Sequence, residues 1–310
     1  MNQAVDQAGA KSEPSWTASS STVFGLAPAK VNLFLHVGPL DAQGYHPLAS
    51  LAVFADVGDV LAVEQADRLS LTVTGPFGGA LAGEGDNLVL RALRALGRAA
   101  GIGEPPLAVS LDKRLPIAAG LGGGSSDAGA AMRLAREVLG LTLDDAALAA
   151  VAAEVGADGP MCLLARSAWA EGRGERLTPE PRLPPLPAVL VNPGVPSPTG
   201  AVYRAYDAGS GATPDRPPTP TDWSVEAVID WLAHRRNDLQ APAIRLQPVI
   251  GQALDAAAAA PGVALARMSG SGATVFGLCR TEEDAKATAQ AMAAAHPGWW
   301  VRSCVLNALK

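Results

Sequence analysis

Four glycines within five positions, followed at once by two serines and an alanine-rich run, most constrain what this chain can fold into. In the segment Pro116-Ile-Ala-Ala-Gly-Leu-Gly-Gly-Gly-Ser-Ser-Asp127 the glycines admit backbone conformations that side chains disfavour. Ser125 to Leu139 then reads as a helix, with serine caps, Asp127 in the first turn and Gly140 after the end. A glycine loop running into a helix N-terminus lets backbone N–H groups approach a ligand and adds the helix's partial positive charge, which suits phosphate. It equally suits a flexible turn with an ordinary serine cap. No Gly-Lys-Ser/Thr follows the glycines and no G-x-G-x-x-G is completed there, which excludes the Walker and dinucleotide loops. G-x-S-x-G, H-E-x-x-H and H-R-D sets are also missing from the sequence.

The 310 residues correspond to about two domains, and a chain of this size builds its cores without disulfides or metal. A hydrophobic share of 48% against 17% charged excludes global disorder. With 24 basic and 30 acidic residues the net charge is −6, the wrong sign for a general polyanion binder. Nucleic acid is therefore not expected as a partner, whereas a local basic pocket for a small phosphate stays open. Cys162, Cys279 and Cys304 have no C-x-x-C spacing and sit among apolar neighbours, as buried reduced thiols do. His36, His46, His234 and His296 lack metal-site spacing. No stretch is apolar enough to span a membrane and no basic-then-apolar leader opens the chain, so a soluble cytoplasmic protein is expected.

Residues 1–22 read as a polar, disordered leader. Ala29 to Val37 alternates, with Val31, Leu33, Leu35 and Val37 on one face and Lys30, Asn32, Phe34 and His36 on the other, predicting a half-buried strand with a polar working face. Leu48 to Val73 is strand-rich, with a turn at Asp56–Asp59. Helices are expected at 87–100, 144–155, 224–234, 240–258 and 282–295, and strands at 107–111, 189–191, 273–278 and 299–306. The proline-rich segment 181–187 reads as a stiff connector, and 207–222, rich in Gly and Pro, as a mobile surface loop. The architecture is α+β in two halves, 23–180 and 181–310.

Several residues have a functional and an ordinary reading. Lys30 is unusual in a strand. It either snorkels at an edge or, beside Asn32, holds a phosphate or an acidic partner. Asp158, in Gly156-Ala-Asp-Gly-Pro160, is in the common case a turn or cap residue. Met268-Ser-Gly-Ser-Gly-Ala273 is more often a tight turn than a ligand loop, and Gly44-Tyr45-His46 would serve equally as a turn with an aromatic plug.

Taken in order, Ala27-Pro-Ala-Lys-Val-Asn-Leu33, Gly44-Tyr-His46, Gly85-Asp-Asn-Leu88, Asp112 through Asp127, Gly156-Ala-Asp158, Asn237-Asp-Leu239 and Met268 through Gly272 resemble the GHMP kinase superfamily. Ala-Lys-Val-Asn combined with Gly-Tyr-His resembles its erythritol branch. The resemblance implies an N-terminal domain like ribosomal protein S5, a ferredoxin-like C-terminal domain and an active site between them. It implies an ATP-dependent kinase that phosphorylates a cytidine-diphosphate methylerythritol for isoprenoid precursors. ATP phosphates would lie on Pro116, Ile117, Ala118, Ala119, Gly120, Leu121, Gly122, Gly123, Gly124, Ser125 and Ser126, with Ser126 also offering its hydroxyl to Mg²⁺. Asn87 and Lys113 would face the nucleotide. Asp158 matches the catalytic base and Lys30 its partner. Tyr45 and His46 match residues that hold cytosine, by stacking and by hydrogen bonding. Tyr203 matches a second stacking aromatic, and Asn32 and Thr199 complete the substrate side. A homodimer is compatible with this reading.

Two departures stand out: Gln43 where the family has Asp before Gly-Tyr-His, and Gly159 where it has valine, a change expected to loosen the backbone beside Asp158. The alternatives are a homoserine- or mevalonate-type kinase, for which Tyr45, His46 and Tyr203 would be superfluous, and a catalytically silent binding protein, which the joint presence of Lys30 and Asp158 argues against.

Overall fold

Asp56-Val-Gly-Asp59 does not turn the chain: a single strand runs through it. The computed structural model describes residues 22–81, 87–207 and 214–308, so the leader (all but Thr22), Gly85 of the quoted motif and positions 208–213 lie outside the described residues. Strand β1 (Val23–Val37) pairs antiparallel along its whole length with β2 (Leu48–Gln65). Gly58 is where β2 passes closest to β1, since a Cβ there would stand 2.1 Å from the Ala27 carbonyl oxygen. Asp59, the next residue, is fully buried and has a role described below.

The expected half-buried β1 is buried on both faces from Ala27 onward. A register shift between Asn32 and Phe34 breaks the alternation, so that Leu33 and Phe34 enter one apolar cluster while Leu35 and Val37 enter another. Next come β3 (Ser70–Thr74), helix α1 (Leu88–Ala99), β4 (Leu107–Asp112), α2 (Gly123–Val138), α3 (Asp145–Val155), the short α4 (Gly159–Leu164), β5 (Ala168–Gly172) and β6 (Arg176–Pro179). β4 and β5 pair with β2, β3 runs parallel to β4, and α1, α2 and α3 cover an apolar cluster built on Leu61, Val63, Leu93 and Leu134. The serine caps expected for α2 are not there. The helix begins at Gly123, and Gly122, left-handed at φ 62°, occupies the cap position with no side-chain bond.

β7 (Leu186–Asn192), starting inside the expected connector, opens the second half. It is followed by α5 (Thr199–Asp207), α6 (Val225–Ala233), α7 (Gln240–Leu246), α8 (Val249–Ala259), β8 (Val263–Met268), β9 (Val275–Cys279), α9 (Glu282–Ala295) and β10 (Trp300–Leu306). The single helix expected over 240–258 is two, because Pro248 has no N–H to donate and forces Gln247 into an extended conformation. β10, β7, β9 and β8 form an antiparallel set in that order, joined to β2 through one bridge, Leu306 to Ala55. The α+β expectation holds. Residues 214–222 lie along the surface and touch the core at two points: the Arg216 guanidinium lies 4.4 Å from the centre of the Trp169 ring, and the Pro218 carbonyl accepts from Trp231 Nε1 at 2.9 Å.

Candidate active site

The glycine segment is anchored from both halves. Lys30 N–H donates to the Leu121 carbonyl at 2.8 Å, and from the second half Thr274 N–H donates to Ala119 and Ser197 N–H to Ala118. The second glycine turn, ambiguous in sequence, is a clamp. Ser269 Oγ donates to the Gly120 carbonyl at 2.9 Å and accepts from Asn32 N–H at 3.1 Å, while Asn237 Nδ2 donates to the Met268 and Gly270 carbonyls. Gly120 must be glycine: φ is 72° and a Cβ would meet the Ser269 carbonyl oxygen at 2.3 Å.

In front of this loop lies a cavity of about 620 Å³, which brings together Lys30, Asn32, Asn87, Lys113, Pro116 through Ser125, Asp158, Thr199 and Tyr203. Ser126 is not among its lining residues. It is fully buried, and its hydroxyl finds no hydrogen-bond partner beyond a weak interaction with the buried Cys162 thiol. The side chains of the helix start that do reach the cavity are Ser125 and Asp127.

Lys30 Nζ and Asp158 Oδ2 stand 2.9 Å apart. Asp158 occupies the cap position of α4 yet makes no cap bond, which leaves its carboxylate to Lys30 and the cavity. The Lys30 ammonium holds the Asp158 carboxyl below the usual carboxylate range, against the opposing effect of burial. Burial lowers the Lys30 ammonium, but the Asp158 carboxylate, with Cys162 and Tyr203 adding to it, makes the net shift upward. At neutral pH the pair is an ammonium facing a carboxylate. Gly159 does not loosen this corner as expected from sequence. A Cβ at 159 would lie 2.1 Å from the Ala152 carbonyl oxygen, so glycine allows α4 to pack tightly on α3.

Lys113 is not free to reach a ligand. Its Nζ sits 2.5 Å from Asp59 Oδ2 and 2.6 Å from Asp127 Oδ2, and all three side chains are at most 3% exposed. Asp59 Oδ1 also accepts from the N–H groups of Arg114 and Leu115. Burial pushes the Asp127 carboxyl up, Lys113 opposes this, and the Asp59 carboxylate adds to the rise. A Cβ on Gly123 would touch Lys113 Nζ at 3.0 Å, so the triad stands directly beneath the helix start. Asn87 caps α1, accepting from Val89 N–H at 2.9 Å while lining the cavity.

A second cavity of about 360 Å³ adjoins the first, lined by Tyr45, His46, Tyr203, Arg204 and Asp207 and sharing Leu48, Arg173 and Tyr203 with it. The His46 and Tyr203 rings lie 5.1 Å apart, and Tyr45 stands with the Arg173 guanidinium 3.7 Å from its ring centre. Both His46 nitrogens are occupied, Nδ1 by the Gly38 carbonyl at 2.8 Å and Nε2 by Asp207 at 3.1 Å. The Gln43 departure is absorbed locally: Asp41 Oδ1 accepts from Gln43 N–H and Tyr45 N–H to hold the turn, and Gln43 Oε1 accepts from Arg173. Thr199 Oγ1 and Ser271 Oγ are 2.9 Å apart on the cavity wall. Sequence reasoning missed Asp59, Asp127, Arg173, Asp207 and Ser271. Of these, Ser271 lay inside the second glycine turn and Asp127 closed the first glycine motif, but neither was assigned a role; Asp59 was read only as part of a turn.

Residues 87–166 match the model for the GHMP kinases N terminal domain and residues 225–298 that for the GHMP kinases C terminal. The chain is 56% identical to the 4-diphosphocytidyl-2-C-methyl-D-erythritol kinase of Caulobacter vibrioides, over 91% of this chain and 98% of that one. The chain belongs to this kinase family. A second relative of the same description, from Methylobacterium radiotolerans, is 51% identical over 91% of this chain and 98% of its own. A crystal structure of 4-(cytidine 5'-diphospho)-2C-methyl-D-erythritol kinase superposes with a TM-score of 0.74 at 36% identity, covering 93% of this chain and all of that one. The homoserine kinase of Cytophaga hutchinsonii, at 17% identity and a TM-score of 0.64, shares the fold. This GHMP kinase has, among its described residues, no helix long and apolar enough to cross a membrane.

Proposed function

We propose that this kinase transfers the γ-phosphoryl group of ATP to the 2-hydroxyl of 4-diphosphocytidyl-2-C-methyl-D-erythritol. The observation that carries the reading is the Lys30–Asp158 pair facing the glycine loop in one cavity, with an aromatic annex opening from it. Phosphoryl transfer is mostly positioning and electrostatic stabilisation. Asp158, kept ionised by Lys30, accepts the proton of the attacking hydroxyl. Lys30 then stabilises negative charge developing beside it. The amides of residues 120 to 125, at the N-terminus of the sixteen-residue α2, receive the ATP phosphates. Lys113 supports that loop from below. Mg²⁺ would neutralise phosphate charge when it arrives with ATP. Ser126, turned away from the cavity, does not suit it; Ser125 and Asp127 do, the latter with Oδ1 buried and without a hydrogen-bond partner. Cytosine would enter the annex between Tyr45 and Tyr203, and an edge contact from His46 requires Asp207 to give way. We assign the enzyme to the cytoplasm, and divide it near residue 180, because β1–β6 and β7–β10 each pair among themselves apart from the Leu306 bridge.

The test is ATP consumption with Mg²⁺ and, in parallel, the cytidine-diphosphate methylerythritol, homoserine and mevalonate. Turnover with the first alone is expected. Turnover with either of the others would refute the roles of Tyr45, His46 and Tyr203, and silence with all three in the folded protein would refute the kinase reading.

A pH profile tests the pair. Because Lys30 depresses the Asp158 pKa, wild-type kcat/KM should hold down to pH values below the ordinary carboxylate range before protonation removes the base. Lys30→Met should lower kcat about 10²-fold and move that acid limb to higher pH. An unmoved limb would show that Asp158 is not the titrating base.

A further inference from the structure

Arg173 is the one charged residue that lines both cavities. It sits at the tip of the β5–β6 hairpin between Gly172 at φ 71° and Gly174 at φ 103°, and its N–H is held by the Glu175 carboxylate, so the turn presents its side chain toward the junction. The other cations of the large cavity are committed: Lys30 to Asp158, and Lys113 to Asp59 and Asp127. Arg173 is held by exposed partners instead: it donates to Gln43 Oε1 and lies over the Tyr45 ring. Its ion pair with Asp41 spans 3.6 Å between side chains 38% and 37% exposed, a geometry worth little. The same Asp41 already serves two N–H groups of its own turn.

Building on the proposed function, we infer that Arg173 is the residue that grips the diphosphate of the substrate. A molecule with a base in the annex and a hydroxyl at Asp158 must carry its diphosphate across the junction that Arg173 lines. A planar guanidinium there offers two parallel N–H donors to phosphate oxygens, which a lysine would not. The guanidinium rests on the face of Tyr45. A base that stacks on Tyr45 takes that face, and the displaced guanidinium finds its anion in the diphosphate attached to the base. Binding at the two places is thereby coupled: the base releases the cation that the next part of the same molecule needs.

Steady-state kinetics on Arg173→Ala and Arg173→Lys, with calorimetric binding of CDP and of cytidine, test this. Arg173→Ala is expected to raise KM for the cytidine-diphosphate methylerythritol about 10- to 100-fold, the range for losing charge-assisted hydrogen bonds, while KM for ATP stays within about twofold. Wild type should bind CDP more tightly than cytidine, Arg173→Ala should lose most of that preference, and Arg173→Lys should recover part. A preference that survives in Arg173→Ala overturns the inference. So does an equal loss of CDP and cytidine affinity, which would mean that Arg173 only props up Tyr45. If wild type itself neither turns over this substrate nor binds CDP, the proposed function fails first and this inference with it.

Discussion

Asp158→Asn is expected to lower kcat about 10³-fold while the affinity for ATP changes less than about threefold. The amide keeps the size of the carboxylate but cannot accept the hydroxyl proton, and proton transfer by a positioned group contributes about 10²- to 10⁴-fold. The substitution leaves the loop untouched, because the 158 side chain makes no bond to the glycine segment and none to the α4 backbone. It also leaves Lys30 facing a neutral partner, so some electrostatic stabilisation of the transition state persists. Single-turnover rates separated from ATP binding by calorimetry provide the check. Turnover within about tenfold of wild type would remove Asp158 from the role of base.

The second large effect concerns stability. Lys113→Met leaves the Asp59 and Asp127 carboxylates side by side, buried, without their cation. Breaking a buried pair by removing one partner costs about 3–5 kcal/mol, and a chain of this size should lose roughly 10 °C of Tm. Without Lys113 the Asp127 carboxyl, already pushed up by burial and by the Asp59 carboxylate, loses the cation that opposes the rise, so its folded pKa moves further above the unfolded one. Stability is then lost as pH rises toward that folded value, and the deficit against wild type should be larger at pH 8 than at pH 5. Lys113→Met combined with Asp127→Asn should recover part of the loss, since one buried charge is gone. Thermal melts over that pH range decide it. A variant that melts like wild type but fails to bind ATP would show Lys113 to be a nucleotide contact instead of the support beneath the loop.

Much of the architecture was legible because its signals are local. Asn87 and Asp144 sit as caps directly ahead of apolar periodic runs, and each accepts from the N–H of its own helix. Lys30 was conspicuous because lysine is depleted in strands. Asp158 was not: nothing in Gly-Ala-Asp-Gly-Pro separates it from a turn aspartate, and only the family resemblance singled it out. The triad was invisible for another reason. Its members lie 54 and 14 positions apart and meet only because β2 pairs with β4 and α2 packs over both. Ser126 failed in the opposite way, since a hydroxyl in the right motif faced inward once the helix began two residues earlier than its serines suggested. β8 was missed because it is half-buried without clean alternation, and its Arg267 spends its donors on the carbonyls of Leu33, Leu232 and Arg235.

Ala118, Ala119 and Gly120 each give their carbonyl to a donor that lies 79 or more positions further along, in Ser197, Thr274 and Ser269 respectively. During synthesis the first half therefore emerges with Lys30, Asp158 and every glycine of the loop, yet with three loop carbonyls still waiting for partners. The bonds that shape the loop are complete only when residues 197, 269 and 274 have been made and have folded against it. A nascent chain thus holds its reactive pair long before it can hold the full set of bonds around the glycine loop.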